Sequence, residues 1–281
     1  MKNKSDIAHK VEQMGLRTVR GEAREGFFIP YRYAGSVPDI VAPYDALSPL
    51  FEAQRAAMST WLNKAEAHAT TLSSFDGSGA SHARLDQYWC PRLDAAMAYT
   101  LVRELRPARI IEIGSGHSTR FMVQAIGDAN VNCAFTAIDP APRAGLAELP
   151  VTFLAKTLQE TDLALFSKLK AGDFLCVDSS HILMPGSDVD IIINRILPML
   201  PRGVIVFFHD IFLPEAYPSD WLWRGYNEQN AVGGLLQGGY ELVFASHYAV
   251  QQMADVFEAL AIAKLPLLPG AHECGLWLRK L

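Results

Sequence analysis

The sequence is short of most features that would name a compartment or a partner outright. No apolar run approaches the roughly 20 residues that span a bilayer, and the polar start MKNKSDIAHK has no apolar core of a signal peptide. The cytoplasm is therefore the expected location, with no membrane partner. Positive charge is scarce: 25 Lys and Arg stand against 30 Asp and Glu, a net −5. Binding a phosphate backbone depends on clustered Lys and Arg, so no nucleic-acid partner is expected. Cysteine is sparse and scattered. Cys90, Cys133, Cys176 and Cys274 form no C-x-x-C pair, so neither a zinc finger nor a disulfide framework is indicated and reduced, mostly buried thiols are expected. Internal repeats and long low-complexity segments are also missing.

What remains is an ordinary globular composition, half apolar and one fifth charged over 281 residues, enough to bury a sizeable core. Two textures divide it. Residues 1–90 carry helical-looking polar stretches such as FEAQRAAMSTWLNKAEAHA, the aromatic patch GFFIPYRY and the Ser/Gly-rich link SSFDGSGASH; they are read as a mainly helical N-terminal extension or lid. Residues 91–281 alternate helix and strand. PRLDAAMAYTLVREL places Leu93, Met97, Leu101 and Leu105 four apart behind Pro91, an amphipathic helix. Short apolar runs follow, RIIEI, AFTAID, VTFLA, DFLCVD and GVIVFFHD, with DVDIIINRILPML as a covering helix between the last two. Near-continuous apolar strands are what a parallel sheet covered on both faces requires. The fold class is α/β, doubly wound.

Ligands of such sheets sit beyond the carboxyl ends of the strands. Here those ends are polar. The first strand ends in Glu112 and opens into Gly114, Ser115, Gly116, His117, Ser118 and Thr119; the second ends in Asp139, the fourth in Asp178, the fifth in His209 and Asp210. The two glycines allow a tight turn, and Ser118 or Thr119 can cap the following helix. The third glycine of the dinucleotide fingerprint is missing, Thr119 standing in its place. A carboxylate beside the turn would repel a pyrophosphate, so Glu112 argues for a ligand bearing cationic groups, while Asp139 is placed to accept hydrogen bonds from ribose hydroxyls.

The run EIGSGHST, with an acid at the next strand end, resembles the nucleotide half of the class I S-adenosylmethionine-dependent methyltransferases. PRLDAAMAYTLVRELRPARIIEIGSGHSTRF, FLCVDSSHIL and FFHDIFLPEAYP resemble a bacterial branch of mostly unassigned substrate, over roughly residues 85–281. The resemblance implies a Rossmann-like, mostly parallel seven-stranded sheet closed by an antiparallel pair, which YELVFASHYAV and CGLWLRKL would supply around a helix-containing insertion. It implies S-adenosylmethionine as cofactor, with Glu112 toward its ammonium group directly or through water, and Gly114, Ser115, Gly116, Ser118, Asp139, Asp178 and Ser179 around it. Adenine contacts would come from Thr157, Leu158 or Gln159, with Leu158 chosen.

The segment Asp178-Ser179-Ser180-His181 is similar to the macrocin-type sugar O-methyltransferases, in which the aspartate binds a divalent ion and the histidine is the base. That similarity implies O-methylation of a small hydroxylated acceptor with His181 as general base, its ordinary pKa of about 6.5 suiting neutral pH. The relatives' acidic pair on the fifth strand is replaced here by His209-Asp210. Three outcomes stay open: a magnesium site on Asp178 and Asp210 completed by water, an imidazole-tolerant metal such as manganese or iron, or no metal, with His181 or His209 oriented by Asp178 or Asp210. The aromatics Tyr217, Trp221, Trp223 and Tyr226 would overhang the acceptor, or pack on the N-terminal region or a second subunit of a homo-oligomer. His247 is read as structural. A nicotinamide oxidoreductase and a non-catalytic cofactor-binding protein are the alternatives.

Overall fold

The computed structural model describes residues 4–281. Five parallel strands are built from the predicted apolar runs: β1 (Arg109–Ile113), β2 (Ala134–Ile138), β3 (Thr152–Leu154), β4 (Phe174–Val177) and β5 (Ile205–Phe208). Two more, β6 (Tyr240–Ala245) and β7 (Leu276–Lys280), run antiparallel at one edge, and the sheet order is β3-β2-β1-β4-β5-β7-β6. This is the seven-stranded Rossmann-like sheet expected. β4 and β5 are buried at every position, as a central parallel strand covered on both faces must be.

The register puts the functional strand tips side by side. Beyond the last paired residues the ladder continues by one step: Gly114 N donates to Ile138 O, Asp139 N to Leu154 O, Asp178 N to Ile113 O and His209 N to Val177 O, at 2.9 to 3.1 Å. Side chains from four strands are thus fixed by backbone hydrogen bonds to a common edge. The helices behave as their patterns predict. Arg92–Leu105 begins after Pro91 and buries Leu93, Met97 and Leu101; it ends where Arg106 turns left-handed, φ 49°. The predicted covering helix runs from Asp188 to Met199 and widens to the π form over Ile192–Ile196.

Two boundaries differ from the sequence reading. The chain divides into one compact unit of 43–215 with 227–281, and another of residues up to 42 with 216–226, so residues 43–90 join the sheet-bearing unit rather than an extension ending at 90. The reason is apolar burial: Phe51, Met58, Leu62 and Leu72 are fully enclosed in the same core as β1 and β4, each worth about 1.5–3 kcal/mol against exposure. His247 lies not in β6 but in the helix Ser246–Gln252 that follows it, where its Nε2 meets Glu215 Oε2 at 2.9 Å. The structural reading of His247 is unaffected. Between β6 and β7 come the helix Ala254–Phe257 and a helical turn at Ala261–Lys264, the expected insertion. In the smaller unit the helix Lys4–Val19 is followed by the exposed Phe27, Phe28, Tyr31 and Tyr33, and Arg224 lies 4.0 Å over the ring of Trp221 and 5.3 Å from that of Tyr226.

Among the described residues, no helix is long and apolar enough to cross a membrane. The four cysteines are free, three of them buried, and burial pushes the Cys90, Cys176 and Cys274 thiols well above their ordinary value.

Candidate active site at the strand tips

The turn after β1 is built around one backbone approach. Gly114 has φ 77°, and a Cβ placed there would fall 1.7 Å from the carbonyl oxygen of Asp178. Only glycine admits both the dihedral and the contact. That contact locks the first loop against the tip of β4. Gly116 N then donates to Thr119 Oγ1 at 3.0 Å, opening the helix His117–Asp128.

Glu112 is placed differently from the sequence expectation. Its carboxylate is 1% exposed; Ser118 Oγ donates to Oε1 at 2.6 Å and Thr119 Oγ1 donates to Oε2 at 2.5 Å. It lies beneath the loop rather than open in the crevice, because two hydroxyls of the following helix close over it. Burial, opposed by those hydroxyls and reinforced by the charges of Asp178 and Asp139, pushes its carboxyl up to about 8. The acids of β1, β2 and β4 are therefore near enough to repel one another, a field that favours a cation.

This shift gives a testable pH dependence. A carboxyl raised in the folded state binds its proton more tightly there than in the unfolded chain, so its contribution is present below the ordinary value of 4.5 and is lost as pH rises toward about 8. Glu112→Gln removes that titration. In the ligand-free protein the wild type should lose about 2–4 kcal/mol relative to the variant between acid and mildly alkaline pH, measured by denaturant melts across the range. Parallel curves would contradict the buried carboxyl.

Asp139 is half-exposed at the tip of β2. Its Oδ2 accepts from Ser115 N at 2.7 Å and Oδ1 accepts from Ala141 N at 2.7 Å, which orients the carboxylate and leaves lone pairs for a ligand. Ser179 Oγ is buried and has no hydrogen-bond partner, as a group waiting for a ligand would be. Leu158 is buried at the head of a helical turn that Thr157 and Glu160 cap reciprocally. His117 stacks on Trp89 with ring centroids 5.3 Å apart, and burial lowers its imidazole to about 4.

The second constellation lies at the tips of β4 and β5. His181 Nε2 is 3.3 Å from Asp178 Oδ1 and 3.4 Å from Asp210 Oδ2, and its Nδ1 is 2.9 Å from Glu228 Oε2. His209 Nδ1 is 3.2 Å from Asp210 Oδ1 and 3.7 Å from Asp178 Oδ1. His209 Nε2 donates to Asp94 Oδ2 at 3.2 Å, and that same carboxylate accepts from the backbone of Cys274 and Gly275 at 2.9 Å. Asp94 accepts only, so His209 Nε2 carries a proton, while Nδ1 faces the acids. His181 and Asp210 both adopt left-handed backbone, φ 61° and 57°. At His181 this conformation is held by Asn227 N and Glu228 N, which both donate to its carbonyl. Non-glycine residues in that region cluster at functional sites.

The sequence brought Asp178, His181, His209 and Asp210 to one place, and they do converge. It missed Asp94, on the buried face of the helix Arg92–Leu105, and Glu228, both fully enclosed. An acid among the apolar positions of PRLDAAMAYTL was the available signal for Asp94; Glu228 offered none. The expectation that His181 acts directly on an acceptor does not fit its surroundings: its side chain is 2% exposed with a carboxylate at each ring nitrogen, whereas Asp178 is 26% exposed. The neighbouring acids, chiefly Asp210, raise the His181 imidazole against the effect of burial; His209 is raised likewise, and Asp178 is held far below the usual carboxylate range with His209 the leading favourable charge.

Residues 111–211 match a family described as a methyltransferase domain, a stretch that starts in β1 and ends one residue past Asp210. No curated protein matches the chain. Among solved structures, the S-adenosylhomocysteine-bound methyltransferase PaMTH1 of Podospora anserina is 16% identical, with TM-score 0.41, 91% of this chain and 99% of that chain covered. The plantazolicin methyltransferase BpumL, solved with S-adenosylhomocysteine, is 11% identical, with TM-score 0.38 and 98% of each chain covered. The matched segment, about a third of the chain, is thus similar to a methyltransferase domain, and it contains the Gly114 turn and the tips of β1, β2, β4 and β5.

Proposed function

We propose that this protein transfers the methyl group of S-adenosylmethionine to an oxygen of a small hydroxylated acceptor. The observation that carries the reading is the convergence of Glu112, Asp139 and Asp178 around the Gly114 turn, close enough that the outer two raise the proton affinity of the first. A pocket of that sign suits a nucleoside with a sulfonium and an ammonium group and disfavours a diphosphate.

In this reading Asp139 accepts from the ribose hydroxyls, the backbone of Gly114, Ser115 and Gly116 passes close to the ligand, and Ser179 supplies a donor. Glu112 acts through Ser118 and Thr119, and Leu158 lies against the adenine. The cofactor supplies an electrophilic methyl carbon: the acceptor's C–O bond forms as the S–CH3 bond breaks, and sulfur keeps the electron pair. The protein's work is alignment and removal of the acceptor's proton. Asp178 is the cluster's most accessible member, with His181 and His209 directly behind at 3.3 and 3.7 Å; it accepts the acceptor hydroxyl's hydrogen bond and orients it, and the hydroxyl proton leaves to solvent as the C–O bond forms. His181 fixes that carboxylate rather than touching the acceptor. We place the methyltransferase domain at residues 43–215 and 227–281 and limit the N-terminal extension to residues before 43.

Methyl transfer is tested directly by incubating purified protein with methyl-labelled S-adenosylmethionine and a library of hydroxylated small molecules. Label should appear in an oxygen-linked methyl group; label on nitrogen or carbon would remove the oxygen assignment. Asp139→Ala should weaken S-adenosylhomocysteine binding by about 1–3 kcal/mol, read by calorimetry, while unchanged affinity would free Asp139 from the ribose role.

A further inference from the structure

We propose that Glu228 is a positioning residue of methyl transfer: at the centre of the tripeptide Asn227-Glu228-Gln229 it fixes His181, and through His181 the Asp178 carboxylate that meets the acceptor. The inference rests on the methyltransferase reading of the site for the purpose of that carboxylate.

The tripeptide ties together two loops that leave the neighbouring strands β4 and β5. Asn227 N and Glu228 N both donate to His181 O, at 3.1 and 3.2 Å. Asn227 Oδ1 accepts from Leu183 N at 2.6 Å, and its Nδ2 donates to Leu183 O at 3.3 Å. Gln229 Oε1 accepts from Phe212 N at 3.0 Å, while its Nε2 donates to Glu215 O at 3.3 Å. Consecutive residues at the start of the helix Glu228–Leu235 thus clasp the loop that carries Asp178 and His181 to the loop that carries Asp210.

Within the clasp, Glu228 reaches the acid and imidazole cluster with its side chain. Its Oε2 meets His181 Nδ1 at 2.9 Å, and the other ring nitrogen stands 3.3 Å from Asp178 Oδ1 and 3.4 Å from Asp210 Oδ2. A half-turn of the ring would set carbon against both acids and release them. A buried carboxylate at Nδ1 fixes ring orientation and tautomer, so Glu228 keeps the nitrogen, and with it Asp178, in place.

A purely structural role fits the residue poorly. Glu228 is fully buried, and its Oε1 makes no hydrogen bond. Burying a charge with one oxygen unsatisfied costs stability, and Asp178 and Asp210 nearby add repulsion. An amide of the same shape would fill the space at lower cost. Residues that lower stability in this way belong where a site needs them.

The test reads His181 directly. Proton–nitrogen correlation spectra of isotope-labelled, ligand-free, full-length protein report the ring nitrogens of each histidine, and the His181 signals are those lost in His181→Ala. Glu228→Gln keeps the shape and removes the charge; it should shift both His181 ring nitrogens and melt no lower than wild type. Glu215→Gln, which removes the acid beside His247, should leave His181 unmoved. In label transfer, Glu228→Gln should lower kcat by about 10²-fold with the KM for S-adenosylmethionine within about threefold. Glu228→Asp, which keeps the charge but shortens the reach, should fall between wild type and Glu228→Gln in both readings. Unmoved His181 signals in Glu228→Gln, kcat within about threefold of wild type, or a lower melting temperature with His181 unchanged would overturn the proposal. S-adenosylhomocysteine binding separates the two readings: binding by wild type and Glu228→Gln alike leaves the methyltransferase reading standing when the positioning role fails, and binding by neither is a failure of that reading itself.

Discussion

Gly114→Ala is expected to be the most damaging single substitution in the protein. The added Cβ would sit 1.7 Å from Asp178 O and 2.6 Å from its carbonyl carbon at a φ of 77°. Both partners are backbone, so no rotamer change relieves the overlap, and the dihedral alone disfavours a side chain. The loop must move off the tip of β4, breaking the Gly114 N to Ile138 O bond. A loss of about 3–5 kcal/mol is expected, with S-adenosylhomocysteine affinity abolished in whatever folds. A denaturant melt within about 1 kcal/mol of wild type would show that the approach is not as tight as described. Gly127, where no atom lies within 4 Å of an added Cβ, is the control, with a small gain or loss expected.

Asp178→Asn should give the largest effect on turnover. The substitution keeps the shape and removes the charge that stands between His181 and His209, and the side chain is exposed enough for the variant to fold. Turnover should fall by about 10²–10⁴-fold, a larger loss than the weakening of S-adenosylhomocysteine binding that follows from removing one of the three acids. His181→Ala should lower turnover by ~10²-fold or more for a different reason: it removes the imidazole that orders Asp178 and Asp210. Because these residues act as one unit, the double variant should be little worse than Asp178→Asn alone. Strict additivity would place the two in separate roles.

The fold was legible because its signals are local. β4 and β5 are uninterrupted apolar runs and β1 nearly so, and a polar residue at each tip marks the edge where the candidate site lies. The Gly114 turn was legible for the same reason, a strand running into glycine and then hydroxyls. What the sequence did not disclose depends on contacts between distant positions. Asp94 and His209 are 115 residues apart, and His181 and Glu228 are separated by 47; only the folded chain shows that each histidine has a carboxylate behind it. The same limit explains Glu112. Its position at a strand end was plain, but that Ser118 and Thr119 close over its oxygens follows from the pitch of a helix that starts at His117. The texture change near residue 90 reflected a real shift from helices to alternating elements. It did not mark a boundary, because Phe51, Met58 and Leu62 bury into the sheet's own core.

We propose that the acid-tipped edge of this sheet receives a positively charged nucleoside. Calorimetric titration of the purified protein with S-adenosylhomocysteine, beside an identical titration with NADH, tests it most directly. One saturable site for S-adenosylhomocysteine and no measurable heat with NADH is the predicted result. Binding of NADH in preference, or of neither ligand by folded protein, would contradict it.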